Sequence, residues 1–288
     1  MLALRARLLA GFGTSRGEQM NIGIIGLGVV GSAVRAYHLS RGDTVLTYDI
    51  KTDGPDALKR IDYDCDVVFV CVGTPLGEDD GMLDCKNVHD AVKSLTQPHV
   101  VIIKSTVMPG VTDYLQGEFP KHRFFFVPEF LDAATAVEDY AKPRRSHVVG
   151  HPRGCDVEPL AEADQFAYHI LPSEDNNATY YWLPARDAEV LKLWTNTYYM
   201  IKVVLSNVLY DVGLSQESID AAHDNPRIGD SHSQVWHRGY RGASGPCLGK
   251  DPQAFAKFLR DTKGACAHIL DHLLTYNANL LMHANPER

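Results

Sequence analysis

The sequence predicts an α/β fold, a doubly wound and mostly parallel sheet, followed by an all-α domain. Three observations lead to this prediction. Short apolar runs, typical of strands buried on both faces, alternate with helical stretches over the first half of the chain. One strand passes directly into a helix through a glycine-rich turn. From about Pro184 the apolar residues recur at steps of three and four, the spacing of a buried helix face.

The composition is that of a globular protein with a sizeable core. The 288 residues are 45% hydrophobic and carry a formal net charge of −8. This charge gives no electrostatic reason to expect a nucleic acid or an anionic membrane as partner, and no apolar run approaches the roughly 20 residues of a transmembrane helix. The six cysteines form no metal-binding spacing. We therefore predict no metal site and expect a cytoplasmic protein with reduced thiols.

The first strand and helix are joined by Gly26-x-Gly28-x-x-Gly31. Gly26 permits the tight turn, Gly28 lets the backbone approach a pyrophosphate, and Gly31 allows the helix to pack closely on the strand. The helix N-terminus, with Val29 and Val30, would present N–H groups to the phosphates. A Rossmann-like dinucleotide-binding domain is therefore predicted.

A second strand, Thr44-Val-Leu-Thr-Tyr, is followed by Asp49. This carboxylate lies 23 residues beyond Gly26, where it can accept hydrogen bonds from both ribose hydroxyls of an adenosine. Its charge would repel a 2′-phosphate, so the predicted cofactor is NAD rather than NADP. The alternative is an aspartate that only caps a turn at the end of a strand.

Further strands are predicted near 66–72, 100–104 and 123–127, with helices near 29–41, 87–95 and 110–117. In a doubly wound sheet the loops at the carboxyl ends of the strands lie along one edge, where ligands bind. Further coenzyme contacts are accordingly predicted for Gly73, Thr74, Ser105 and Thr106.

The second half of the sequence carries the reactive side chains. Lys192 and Asn196 lie one turn apart on a predicted helix, so both can point into one cleft. Cys247 lies in a glycine-rich loop just before a last helix, which is predicted from Pro252 to about Met282. Taken alone, such a lysine and asparagine are usually solvated, and a cysteine is usually a small buried hydrophobe.

Several segments resemble those of the nucleotide-sugar dehydrogenases, the UDP-glucose and GDP-mannose dehydrogenase family. GASGPCLGKD at 242–251 is similar to the family's catalytic loop, roughly GFGGSC-x-x-KD. Ala188-Glu189, Lys192 and Asn196 match its helix motif AE-x-x-K-x-x-x-N. KST at 104–106, PEFL at 128–131 and DNPRIG at 224–229 fit three more segments, all in the family's order.

The resemblance implies an enzyme that oxidises a sugar C6 alcohol to a carboxylate by two hydride transfers to NAD. Cys247 would add to the intermediate aldehyde as a thiohemiacetal, which gives up the second hydride to form a thioester. Lys192 would stabilise the developing oxyanion, with Asn196 beside it as a neutral donor. The sulfur of Cys247, the ammonium of Lys192 and the carboxylate of Asp251 are expected to converge beside the reactive carbon of the coenzyme.

The same resemblance implies roles for the remaining site residues. Asp251 would order water and take part in proton transfer, the alternative being a helix N-cap. Glu129 would assist thioester hydrolysis as a base, and Thr106 would hold the catalytic water. Lys250 is implied as a coenzyme contact. Substrate contacts are implied for Glu129, Phe130, Leu131, Lys192, Asn196, Arg241 and Gly242.

Three departures from the family pattern bear on these expectations. Val127 stands where the family usually has Asn, and Ala133-Ala134 replace its Glu-Gly. Pro246 provides no N–H near the thiol. The chain ends 37 residues after Asp251, where the family continues into a second α/β domain. A separate subunit is one expected replacement for that domain.

We predict a disordered tail at 1–19, a Rossmann-like NAD-binding domain at 20–183 and a helical domain at 184–288. A weak targeting helix is the alternative for the tail. The last helix carries more apolar surface than an isolated helix can bury, and in the family this helix forms the dimer core, so a homodimer is predicted.

Two other functions fit the residues. A single-hydride β-hydroxyacid-type dehydrogenase also joins a nucleotide domain to a helical one and uses a helix Lys and Asn at this spacing, but it needs no loop cysteine. A non-catalytic NAD-binding remnant or regulator would account for the altered residues 242–246.

Overall fold

The structure is a computed structural model that describes residues 20–65, 67–78, 81–142, 146–154, 167, 170–172, 179–237, 239–262 and 267–283. The tail predicted at 1–19 lies outside the described residues. The chain divides into two compact units. The first contains residues up to Thr74 together with Asp84–Glu189, and the second contains Pro75–Leu83 and the residues from Val190 onward. This division differs from the predicted boundary at 184, because one helix begins in the first unit and continues in the second.

The first unit contains a seven-stranded sheet. Its strands are β1 (Asn21–Ile25), β2 (Thr44–Tyr48), β3 (Val67–Val70), β4 (Val100–Ile103), β5 (Arg123–Phe126), β6 (Ser146–His151) and β7 (Thr179–Pro184). They lie in the order β2-β1-β3-β4-β5-β6-β7, and the first five are parallel. β6 is antiparallel to β5 and parallel to β7. The predicted doubly wound, mostly parallel sheet is confirmed.

The described helices of this unit are α1 (Val29–Ser40), α2 (Pro55–Asp64), α3 (Lys86–Lys93), α4 (Val111–Glu118) and α5 (Ala136–Ala141). Alternate residues of the central strands enter two separate apolar clusters. Phe69 and Ile102 belong to one cluster, whereas Val68, Val70 and Val101 belong to the other. Because both faces of the sheet are covered, these strands appear in the sequence as continuous apolar runs.

Strands β6 and β7 were not predicted from the sequence. Their residues are largely exposed or half-buried, so neither segment has the continuous apolar character of β3 and β4. Pro184 ends β7 and directly precedes the long helix, and the sequence pattern at this point predicted only that helix.

The elements of the second half are α6 (Ala185–Asp211), α7 (Gln216–His223), β8 (Trp236–His237), β9 (Tyr240–Arg241), α8 (Gly245–Leu248), α9 (Asp251–Asp261) and α10 (Ala267–Leu281). The prediction of a single last helix from Pro252 to Met282 is wrong, since α9 ends at Asp261 and α10 begins at Ala267. Gly264 in the intervening sequence disfavours a continuous helix. Among the described residues, no helix has both the length and the apolar character needed to cross a membrane.

Candidate active site

In the glycine-rich turn of the first unit, backbone atoms crowd Gly26 and Gly31, whereas the space beside Gly28 is free. Gly26 has φ +95°, and a Cβ atom on Gly31 would lie 1.9 Å from the carbonyl oxygen of Gly26. Gly28 precedes α1 in an extended conformation, and a Cβ atom there would meet nothing within 4 Å. Val29 is exposed, whereas Val30 packs against the core. The turn therefore leaves room over Gly28 for a ligand to approach the backbone.

Asp49 follows β2 and is linked to the same turn. The Leu27 N–H donates to its Oδ2 atom at 2.8 Å, and the Lys51 N–H donates to its Oδ1 atom at 3.0 Å. These backbone hydrogen bonds, that of Lys51 first, hold the pKa of Asp49 below its usual range. The carboxylate is thus ionised at neutral pH, and each oxygen keeps a lone pair for a ribose hydroxyl.

The loops after β3 and β4 are joined by hydroxyl groups. The Thr74 hydroxyl donates to the Thr106 carbonyl oxygen at 2.6 Å, and the Ser105 hydroxyl donates to the Val72 carbonyl oxygen at 2.7 Å. A Cβ atom on Gly73 would meet nothing within 4 Å. The predicted coenzyme residues of the first unit therefore lie at the carboxyl ends of β1 to β4, where a doubly wound sheet binds ligands.

Glu129 is buried just after β5 and lines a cavity of about 20 Å³ together with Lys104 and Tyr140. The Leu131 N–H donates to its Oε2 atom at 2.8 Å. The Lys104 ammonium lies 5.4 Å from the centre of the Tyr140 ring. The cavity is large enough for about one water molecule. Phe130 and Leu131 are half-buried.

Glu189, part of the family's helix motif, binds the N-terminus of α4 in the first unit. Its carboxylate accepts hydrogen bonds from the Gly110 N–H at 2.5 Å, the Thr112 N–H at 2.9 Å and the Thr112 hydroxyl at 2.6 Å. Glu189 is fully buried, and this burial raises its pKa to about 7 against the effect of the three donors. This role of Glu189 could not be predicted, because its hydrogen-bond partners lie 77 to 79 residues earlier in the chain.

Within the second unit, the helix motif and the loop motif meet at a buried hydrogen bond. Asn196 Nδ2 donates to Asp251 Oδ2 at 2.5 Å, although the two residues are 55 positions apart. The Lys250 ammonium donates to the other oxygen of Asp251 at 2.6 Å. Asp251 is fully buried and Lys192, one turn before Asn196 on α6, is 2% exposed. The alternative for Asp251, a helix N-cap, is not observed, because Asp251 is the first residue of α9 and Lys250 is the N-cap.

Cys247 lies in the short helix α8 and is exposed. Gly245, at the start of that helix, has φ +91°, a conformation that favours glycine. The thiol is therefore presented on the surface of its unit between Arg241, where β9 ends, and the buried Asp251.

Arg241 and Gly242, predicted to contact substrate, are both buried. The Arg241 guanidinium donates to Asn207 Oδ1 at 2.9 Å and to Asp211 Oδ1 at 2.6 Å. Asn277 forms two hydrogen bonds with the backbone of Ala243. The sequence did not indicate Asn277, because a polar residue inside an apolar helix pattern carries no sign of its partner.

The structure therefore groups the predicted residues in two sets. Thr106 and Glu129 lie in the first unit with the glycine-rich turn, whereas Cys247, Lys192, Asn196 and Asp251 lie in the second. The convergence of the second set on the coenzyme stays a prediction. Over the part of the chain that the structure describes, no group of three or more His, Cys, Asp or Glu side chains could hold a metal ion.

Residues 54–160 match the model of the NAD-binding domain of the UDP-glucose/GDP-mannose dehydrogenase family. The UDP-glucose 6-dehydrogenase of Streptococcus pneumoniae is 30% identical over 68% of this chain and 51% of its own length. The resemblance to this family is confirmed. A UDP-glucose dehydrogenase from the hyperthermophilic archaeon Pyrobaculum islandicum has a similar fold, with a TM-score of 0.71 and 23% identity over 93% of this chain and 70% of that chain.

The fold is also similar to that of the Mycobacterium tuberculosis 3-hydroxyisobutyrate dehydrogenase, with a TM-score of 0.61 and 18% identity over 93% of this chain and 96% of that chain. This chain spans 43% to 69% of the length of three curated nucleotide-sugar dehydrogenases that it matches. The matched domain confirms NAD as the cofactor. The open space over Gly28 and Gly73 and the ionised Asp49 fit a dinucleotide.

Proposed function

We propose that this chain is an NAD-dependent nucleotide-sugar 6-dehydrogenase that oxidises a C6 alcohol to the carboxylate in two steps. The observation that carries the proposal is the buried hydrogen bond between Asn196 and Asp251. It joins two motifs that are far apart in the sequence, and the exposed Cys247 lies on the same loop as Asp251. NAD, two molecules in succession, supplies the acceptor for the two hydrides when it is bound.

Cys247 carries the covalent chemistry in this proposal. Its thiolate adds to the carbonyl carbon of the intermediate aldehyde, a C–S bond forms, and the oxygen takes up a proton to give a thiohemiacetal. Loss of a hydride and a proton then gives the thioester. Water cleaves the C–S bond and releases the carboxylate and the thiol. Cys71 is unsuited to this role, because burial raises its pKa to about 12.

The charged and polar groups around the loop fit this chemistry. Lys192, buried on α6, would donate to the oxygen that develops negative charge in each oxidation, with the Asn196 amide beside it. Asp251 would accept the proton that leaves with each oxidation, and its contacts with Asn196 and Lys250 fix the direction of its oxygens. Thr106 would hold the water that cleaves the thioester, and Glu129 would deprotonate it.

A homodimer is part of the proposal, and we assign its interface to helix α6. Most apolar residues of the last two helices are buried or half-buried, with Ile269 exposed. The long helix α6 instead exposes an apolar stripe of Leu191, Trp194, Tyr198, Leu205 and Val208. These residues recur at helical spacing on one side, which favours a covered surface in the assembled protein. A separate subunit that binds the nucleotide, and a cytoplasmic location, remain expectations.

The ratio of NADH formed to sugar consumed tests the proposal. Incubation with excess NAD and a panel of UDP- and GDP-sugars should give two NADH per sugar and a uronic acid product. The Cys247→Ser variant should stop before the acid, whereas the control Cys85→Ser, at a half-buried thiol of the first unit, should retain the ratio. One NADH per substrate and full turnover of Cys247→Ser would favour the single-hydride dehydrogenase. NADH binding without turnover on any sugar would favour the regulator.

A further inference from the structure

We infer that Asn277 is a positioning residue that holds the start of the Cys247 loop (residues 242–251) in the geometry that the reaction requires. This inference rests on the proposed function. Asn277 lies on α10, and its two side-chain hydrogen bonds are to the backbone of Ala243 rather than to a reacting group. It acts through the backbone of Ala243, four residues before the thiol.

The Asn277 amide forms hydrogen bonds with both backbone groups of Ala243. Asn277 Oδ1 accepts from the Ala243 N–H at 2.7 Å, and Asn277 Nδ2 donates to the Ala243 carbonyl oxygen at 2.9 Å. The amide thus binds one residue of the loop as a neighbouring strand would. Asn277 is 6% exposed and Ala243 2% exposed, so water cannot readily replace either bond.

The residue before Ala243 shows how closely the loop lies on α10. Gly242 has φ +86°, and a Cβ atom there would lie 2.9 Å from Asn277 Oδ1 and 3.0 Å from Leu280 Cβ. A side chain at position 242 would push the loop away from the Asn277 amide. The hydrogen bonds of Asn277 to the loop therefore require a glycine at position 242.

The other side of the loop start is held by α6. The Arg241 guanidinium binds Asn207 and Asp211, and the Tyr276 hydroxyl donates to Asp211 Oδ2. Tyr276 and Asn277 are adjacent on α10, so Arg241 and Ala243 are each held by the same pair of helices. Arg241 is thus assigned to holding the loop rather than to contacting the substrate.

The end of the loop is held independently by the Asn196–Asp251 hydrogen bond. Between these two anchors Cys247 is exposed. Loss of the Ala243 pairing would therefore leave the start of the loop held only through Arg241, two residues earlier in the chain. A displacement of about 1 Å in a reacting group can lower the rate on the order of 100-fold.

Two substitutions test the inference, Asn277→Asp and Asn277→Ala, with Asn279→Asp as the matched control. Asn279 is exposed on the same helix, so its substitution makes the same chemical change away from the loop. In Asn277→Asp, a carboxylate oxygen would face the Ala243 carbonyl oxygen and repel it. At low pH the protonated carboxyl group can donate again, so that variant should recover, whereas Asn277→Ala should not.

Three measurements follow, and circular dichroism with amide exchange in α6 verifies that each variant is folded. At pH 8, exchange of the 243–248 backbone should rise at least tenfold in both Asn277 variants. Their kcat should fall tenfold to 100-fold while the KM for sugar and the Kd for NADH stay within twofold. The ratio of kcat in Asn277→Asp to that in the wild type should rise as the pH falls, and the Asn279→Asp ratio should stay flat.

Unchanged exchange over 243–248 would overturn the inference, and so would raised exchange with an unchanged kcat. If the wild type turns over none of the sugars, the proposed function fails separately. The rate of alkylation of Cys247 by iodoacetamide then decides the positioning role. A change of threefold or more in the Asn277 variants, absent from Asn279→Asp, supports it, and equal rates overturn it.

Discussion

Alanine substitutions at Gly28 and Gly31 should separate coenzyme binding from folding, because the two added Cβ atoms meet different surroundings. At Gly31 the new atom would lie 1.9 Å from the backbone oxygen of Gly26, far inside the 3.4 Å at which ordinary contact begins. At Gly28 it would meet nothing within 4 Å. The space over Gly28 is therefore open to a bound ligand.

The expected size of each effect follows from these contacts. Overpacking against a backbone atom such as the Gly26 oxygen, which cannot rotate away, lowers the free energy of unfolding by about 3 kcal/mol. The better helix propensity of alanine offsets about 1 kcal/mol, which leaves Gly31→Ala less stable by about 2 kcal/mol and lowers its Tm by about 4–8 °C. For Gly28→Ala, a gain of about 0.5–1 kcal/mol in backbone entropy and a similar loss in helix capping nearly cancel, so its Tm stays within about 2 °C.

The assay combines thermal unfolding with titration of NADH fluorescence. Gly28→Ala should bind NADH at least tenfold more weakly, about 1.4 kcal/mol, at a nearly unchanged Tm. Gly117→Ala, in α4 and equally open, is the matched control: it should leave NADH binding unchanged and raise the Tm by about 2–4 °C, because alanine has the better helix propensity. Wild-type NADH affinity in Gly28→Ala would refute the assignment of the phosphates to this turn. A wild-type Tm in Gly31→Ala would refute the steric reasoning.

Three further predictions concern pH and assembly. Burial raises the Glu189 pKa to about 7, so the wild type should lose about 3 kcal/mol of stability as the pH rises from about 4.5 to 7, and Glu189→Gln should lack this fall in urea denaturation. Burial lowers the His122 pKa to about 4, so stability should fall as the pH drops from about 6.5 to 4. Acid unfolding of His122→Phe should therefore begin at a lower pH, and an identical profile would contradict this. Leu205→Glu should convert the dimer to a monomer in native mass measurements, whereas Val137→Glu, exposed in the first unit, should not; a monomeric wild type would contradict the dimer.

The parts of the fold that could be predicted are those that local pattern determines. The turn from Gly26 to Gly31, the carboxylate after β2 and the apolar runs of β3 and β4 each combine a local conformation with a local burial pattern. Strand β7 could not be predicted in this way, because its residues are exposed or half-buried. Its Thr-Tyr-Tyr-Trp run therefore lacks the continuous apolar pattern of a buried strand. The break between α9 and α10 was missed because the apolar spacing on either side of Gly264 remains compatible with one helix.

The candidate site was predicted through motifs, and its supporting residues were not. Cys247, Lys192 and Asp251 could be singled out because reactive groups have recognisable chemistry and spacing. A substrate contact for Arg241 was implied by the family resemblance, yet its guanidinium donates to Asn207 and Asp211.

Glu189 and Asn277 share a physical reason for escaping a prediction from sequence. Each is a buried polar side chain that satisfies backbone groups beside a functional loop, Gly110 and Thr112 at the N-terminus of α4 in one case and Ala243 in the other. The local sequence around a lone polar residue in an apolar helix does not indicate which backbone groups it binds, because those groups come from a distant part of the chain. Such a residue is nevertheless costly to remove, since the N–H and C=O groups it satisfies would be left buried without a partner. Loop geometry at this site therefore depends on residues whose partners no motif reveals, and substitutions there should alter the chemistry without touching a reacting atom.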